Sequence, residues 1–96
     1  MLVLTLLERE PMYGYQIVKL VHEHSAGMLA LKEGSLYPAL HRLEQTGLIE
    51  SFWQSRADGA RRRYYRLLPA GREAARQKRQ EWADFTTAIT GVLKYA

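Results

Sequence analysis

One dipeptide, Asp58-Gly59, constrains this chain more than any other feature. It lies between two aromatic-rich segments, LIESFWQS at residues 48–55 and RRYYRL at residues 62–67. Asp-Gly tolerates the positive φ angles of a tight turn, so the pair predicts a β-hairpin. With Asp58 and Gly59 as the central turn residues, Phe52 faces Tyr65 and Trp53 faces Tyr64. Both are favourable cross-strand pairs. The same register sets Arg56 opposite Arg61, with Arg62 and Arg63 next in line. Like charges placed opposite each other destabilise a hairpin by roughly a few tenths of a kcal/mol. The hairpin therefore does not explain its own arginines, whereas an anion meeting its tip would.

The rest of the chain reads as helices around that hairpin. Its 96 residues suffice for one domain with one modest core. The first seven residues, MLVLTLL, hold six apolar ones and predict a short helix over residues 1–8. They lack the basic front of a signal peptide and fall far short of a membrane span. The chain opens inside this apolar run, so the helix is expected to start at once or to be shortened. Glu10-Pro11 ends it, because the residue before proline is pushed out of the helical region. Residues 13–24 place Tyr13, Ile17, Leu20 and Val21 at helical spacing. Residues 26–33 read as a loop or short strand.

Residues 34–46 form the clearest helix. Leu36, Leu40 and Leu43 share one face, and Gly47 stops it. Pro38 is expected in the first turn, where its missing N–H costs least. The opposite face carries Pro38, His41, Arg42 and Gln45, flanked by Ser35 and Tyr37. Residues 70–95 predict a long helix, basic at first, with Trp82, Phe85, Ile89 and Val92 on a narrow heptad-like seam. The expected core comprises Leu2, Leu4, Ile17, Leu20, Leu36, Leu40, Leu43, Leu48 and Leu67, with Tyr65 beside it.

Charge is divided unevenly. The net charge is +4, yet residues 1–50 hold four basic and six acidic residues, and residues 51–96 hold ten and four. Such a basic concentration attracts polyanions. The absence of cysteine excludes disulfides, thiolate catalysis and cysteine-ligated zinc, and fits a reducing, cytoplasmic setting.

The predicted fold class follows from element order. Three helices, a hairpin and a long helix give a mainly α protein with a small β-hairpin. This is a winged helix-turn-helix over residues 1–68 with a C-terminal dimerisation helix over residues 69–96, together one structural unit. In that arrangement the third helix enters the major groove of DNA. His41, Arg42 and Gln45 are expected to face base edges. Tyr37 meets a phosphate or packs beside the helix, and Tyr15 and Lys32 are further phosphate candidates. Arg56, Arg61, Arg62 and Arg63 form the wing tip, set against phosphates.

The sequence resembles the PadR family of bacterial transcriptional regulators in its shorter form. The matching stretches are PMYGYQI (11–17), GSLYPALHRLEQTGLIES (34–51), GARRRYYRLLPAGRE (59–73) and EWADF (81–85). They span nearly the whole chain, and the chain departs from the family's common residues at Tyr13 and Leu68. The resemblance implies a homodimeric repressor of palindromic operator DNA, joined through the first and last helices. It implies that Ser35, Tyr37 and Pro38 open the recognition helix and that Leu2 and Leu6 join Trp82, Phe85, Ile89 and Val92 at the dimer interface. It further implies release from DNA by a small aromatic or drug-like effector, with Trp82 at the pocket.

Other chemistry finds no foothold. His22 and His24 point to different faces of one helix and His41 lies on another, so no metal or other cofactor is expected. No nucleophile motif, phosphate-cradling loop or paired carboxylates suggest an enzyme. Two other readings of a winged helix remain, a protein-interaction module and a non-specific nucleic-acid binder. The arginine-rich wing argues against the first, and the polar recognition face with a symmetric dimer argues against the second.

Overall fold

The computed structural model describes residues 2–96. Its elements, in order, are helix α1 (Leu2–Leu7), strand β1 (Met12–Tyr13), helix α2 (Gly14–His24), helix α3 (Glu33–Gln45), strands β2 (Ile49–Ser55) and β3 (Arg61–Leu67), and helix α4 (Pro69–Tyr95). The sheet is antiparallel, in the order β1-β3-β2. The third strand is an addition to the predicted hairpin. Met12 and Tyr13 pair with Tyr65 and Tyr64, but two residues beside a proline are too short to show an alternating pattern. No strand forms between α2 and α3. Residues 26–28 turn instead, through Ala26 at φ 54° and Gly27 at φ 79°.

The hairpin forms in a register one residue away from the predicted one. Phe52 faces Tyr64, Trp53 faces Arg63 and Ser55 faces Arg61. Arg56 pairs with Ala60, not Arg61, through its N–H to the Ala60 carbonyl at 2.7 Å. The loop is therefore three residues long. Gly59 takes φ 87° and donates its N–H to the Arg56 carbonyl at 3.0 Å. Asp58 Oδ1 accepts the Ala60 N–H at 3.0 Å. Asp-Gly thus serves a three-residue loop with glycine in the left-handed position. Shifting the register by one moves every side chain of a strand to the other face. Phe52 accordingly lies on the outer face of the sheet, stacked on Tyr64 at 5.8 Å.

The core forms where the apolar stripes meet. Leu4, Ile17, Leu36, Leu40 and Leu67 are buried as expected, and Leu20, Leu43 and Leu48 pack partly buried against them. Tyr65 is also buried, and burial raises its pKa above the ordinary tyrosine value, with Arg63 pulling the other way. Val3, Leu7, Met12, Val21, Ile49 and Ala75 complete the core. Leu2 does not belong to it, since it is 41% exposed. It lies one helical position from the inward face that Val3, Leu4 and Leu7 share.

Two close approaches position the elements around the core. A Cβ at Gly14 would come 2.6 Å from Tyr37 Oη, so a larger residue there would have to displace the Tyr37 ring where α2 and α3 meet. At Gly71 a Cβ would collide with the Leu48 carbonyl, which also accepts the Leu68 N–H at 3.0 Å. These two contacts clamp the start of α4 to the root of the hairpin. Pro69 stands at the first position of α4, where a missing N–H is harmless. Pro38 does not occupy the equivalent place in α3. That helix begins at Glu33, which sets Pro38 in the second turn. Its missing N–H leaves the Gly34 carbonyl without a helical partner, and Gly34 is exposed, so water can supply one.

Candidate nucleic-acid interface

Helix α3 buries Leu36 and Leu40 and turns its other side outward. Lys32, Ser35, Tyr37, Pro38, His41, Arg42 and Gln45 are all exposed on it or at its start. The face holds donors, acceptors and one guanidinium, and no carboxylate points from its centre. Tyr37 packs across Gly14 with its ring half-exposed. Tyr15 is exposed at the start of α2 and lines, with Tyr13, Tyr37, Tyr65, Arg62 and Arg63, an open cleft of about 360 Å³ between the helices and the sheet.

The four arginines expected at the wing tip do not gather at one point. Arg56 and Arg61 stand at the tip, and Arg56 lies 3.8 Å from Asp58. Arg62 turns to the outer face and covers the Tyr13 ring at 4.2 Å. Arg63 turns to the inner face, the side on which α3 lies. There its guanidinium donates to Ser51 Oγ at 2.8 Å and lies 3.5 Å from Glu44. Ser51 Oγ in turn donates to Glu44 Oε2 at 2.9 Å. Glu44 thus ties the last turn of α3 to both strands. A carboxylate at a helix C-terminus faces the negative end of the helix dipole. That misfit was the sequence signal for a cationic partner nearby, and it escaped notice because the partner is distant in sequence. Tyr13, Gly14 and Ser51 were missed for the same reason, since their roles come from contacts across elements.

The second exposed region is the far half of α4. Every residue from 76 to 96 is exposed. Trp82, Phe85, Ile89 and Val92 form one stripe on it, with Trp82 and Phe85 rings 5.6 Å apart, and even Ile89 is 45% exposed. The stripe continues into a groove of about 610 Å³ lined by Leu2, Leu6, Leu29 and Trp82, with Arg9, Lys78 and Arg79 around them. All six predicted interface residues therefore fall on one continuous apolar surface. Arg79 also bonds Glu8 at 2.6 Å, fixing α4 against α1.

Among the described residues, no three metal-ligating side chains converge, and no helix is long and apolar enough to cross a membrane.

Comparison with known proteins agrees with this geometry. The model of the transcriptional regulator PadR-like family matches residues 3–77. A transcriptional regulator of Mycobacterium tuberculosis is 40% identical over 72 residues, covering 75% of this chain and 66% of its own. A PadR family transcription regulator from Clostridium difficile superposes with a TM-score of 0.84 at 36% identity, over 96% of this chain and 94% of the other. A PadR-like transcriptional regulator from Bacillus cereus gives 0.85 at 28% identity, over 95% and 86%.

Proposed function

This chain belongs to the PadR-like family of transcriptional regulators, and on that premise we propose that it is a cytoplasmic homodimeric repressor that binds a palindromic operator in double-stranded DNA. One observation carries the reading. The polar face of α3 and the arginine-bearing hairpin are exposed on the same molecule as an apolar stripe on α4 that none of the described residues buries.

Residues 1–68 act as the DNA-binding head. His41, Arg42 and Gln45 read base edges from the major groove, with Ser35 and Pro38 at the approach. Lys32, Tyr37, Arg56, Arg61, Arg62 and Arg63 meet phosphates, which fix orientation without carrying sequence information. Residues 69–96 join two copies through Trp82, Phe85, Ile89 and Val92, with Leu2 and Leu6 at the flank. Twofold symmetry sets the two recognition helices about one DNA turn, roughly 34 Å, apart. In this reading the groove beside Trp82 takes a small aromatic effector. Such a ligand releases DNA only by binding the DNA-free arrangement more tightly. The chemistry is regulation by binding, and no catalytic step is involved.

The test is selection of bound duplexes from a random pool at near-physiological salt, where non-specific binding is weak. A recovered near-palindrome is the expected result. Binding without a consensus would replace the operator reading with a non-specific one. No binding at all would favour a protein-interaction module.

A further inference from the structure

Phe52 and Trp53 are neighbours in β2, yet the fold uses only one of them. Phe52 lies on the outer face, stacked on Tyr64 and covered by the Arg66 guanidinium at 4.5 Å. Trp53 lies on the inner face, opposite Arg63, and is 59% exposed. Among the described residues, no aromatic ring pairs with it. The Arg61 guanidinium lies over it, 5.2 Å from the ring centre. Farther in along the same face, the Ser51–Tyr65 pair is sealed by Glu44 from α3. Arg63, opposite Trp53, reaches Glu44 in the last turn of α3, so this face of the hairpin lies on the α3 side of the sheet.

The surroundings of Trp53 select its occupant. Arg61 and Arg63 share its face, and Arg56 stands at the tip just beyond. Asp58 answers Arg56 at 3.8 Å, and Glu44 answers Arg63 at 3.5 Å. Among the described residues, Arg61 has no acidic partner within ion-pair distance. A flat indole bordered by guanidinium groups suits a polyanion with an apolar wall, which describes the deoxyribose-lined minor groove. The indole N–H is a donor and never an acceptor. Minor-groove edges of A·T pairs offer only acceptors there, while G·C pairs add a donor. A donor reaching that edge therefore favours A·T.

We propose that Trp53 is a specificity-determining DNA contact of the hairpin, packing in the minor groove beside each half-site and favouring A·T pairs there. The inference rests on the operator reading above. It adds an aromatic residue that the arginines of the hairpin do not predict, and it assigns sequence preference to a part of the molecule otherwise limited to phosphates.

Duplex selection and binding titrations over a range of salt test it, with wild type, Trp53→Ala, Trp53→Phe and Arg61→Ala compared. Trp53→Ala should bind the selected operator on the order of tenfold more weakly, as expected for loss of an apolar minor-groove contact. Its salt dependence should stay that of wild type, since no phosphate contact is lost. Arg61→Ala should instead reduce the salt slope by about 1. Trp53→Ala should also recover the positions read by α3 while losing the flanking A·T preference, which shows at once that it folds. Trp53→Phe should keep most of the affinity and lose the flanking preference. If Trp53→Ala keeps both affinity and flanking preference, the inference fails and the operator reading stands. If wild type itself selects no consensus, the operator reading fails and takes the inference with it.

Discussion

The two ends of α4 differ more than any two helices of this molecule. Its first two turns bury Gly71 and Ala75 against the hairpin root and the core. From residue 76 onward nothing is buried. There the helix is held by its own backbone, by the exposed Arg79–Glu8 pair to the end of α1, and by short-range pairs such as Lys78–Glu81 at 3.5 Å and Gln80–Asp84 at 3.0 Å. Exposed pairs of this kind contribute only about 0.2–0.5 kcal/mol each. Residues 2–75 are stabilised by a core drawn from every element, while the far half of α4 carries large apolar side chains and shares in none of it. One helix thus belongs to two thermodynamic regimes. The first is set by the chain alone, and the second is completed by whatever covers the stripe.

That contrast can be broken from either side. The largest effect is expected in the head. Leu40→Ala removes a side chain that is 1% exposed, and such truncations cost about 2–5 kcal/mol. Urea unfolding should show the free energy of unfolding falling by that amount and the midpoint falling in proportion at an unchanged m-value, because the head has one small core and no second layer. An unchanged midpoint would mean the apolar stripe of α3 is not what holds the helix in place.

Phe85→Asp acts on the other region. It should leave the folded head intact by circular dichroism yet yield monomers on size exclusion, with much weaker operator binding. Wild type should melt at a temperature that rises with protein concentration, as a folded dimer requires. The variant should lose that dependence. A Phe85→Asp protein that still elutes as a dimer would assign the stripe to some other role.

The smallest effect concerns the polar tie between α3 and the hairpin. Glu44→Gln removes the charge facing Arg63 but can still bond Ser51. Both ionic side chains are partly exposed, so stability should fall by less than about 1 kcal/mol. Duplex affinity at low salt should rise severalfold, since a carboxylate beside the DNA-facing side is gone. A large loss of stability would instead make this tie part of the core's support.

The same division explains how much the sequence revealed. The helices were legible because Leu36, Leu40 and Leu43 repeat at the period of one buried face, and the α4 stripe because it repeats in the same way with nothing else beside it. The hairpin was legible as an element but not in register. Asp58-Gly59 suits both a two-residue turn and a three-residue loop ending in a left-handed glycine, and the two differ by one residue. That residue exchanged the faces of Phe52 and Trp53, which turned an expected structural pair into an exposed indole. Strand β1 was hidden because its two residues gain their identity only from pairing with β3. The expected site residues of α3 were legible as a surface. Their neighbour Glu44 was not, because its role depends on Arg63 and Ser51 arriving from another element.

The clamp at Leu48 has a mechanical consequence. The carbonyl of Leu48 receives the Leu68 N–H and presses on Gly71, and the next residue begins β2. The exposed arm and the hairpin therefore pivot on the same point, with no slack between them. From Gly71 to Val92 the arm is about 30 Å long at the helical rise per residue. From Ile49 to Ser55 the hairpin extends about 20 Å. A tilt of about 5° about that pivot would carry the end of the arm by nearly 3 Å and the hairpin tip by nearly 2 Å, given those lengths. Two copies gripping each other's arms would in this way fix the separation and pitch of their hairpins. A wedge driven between the arms would be felt at the tips as a change of gauge.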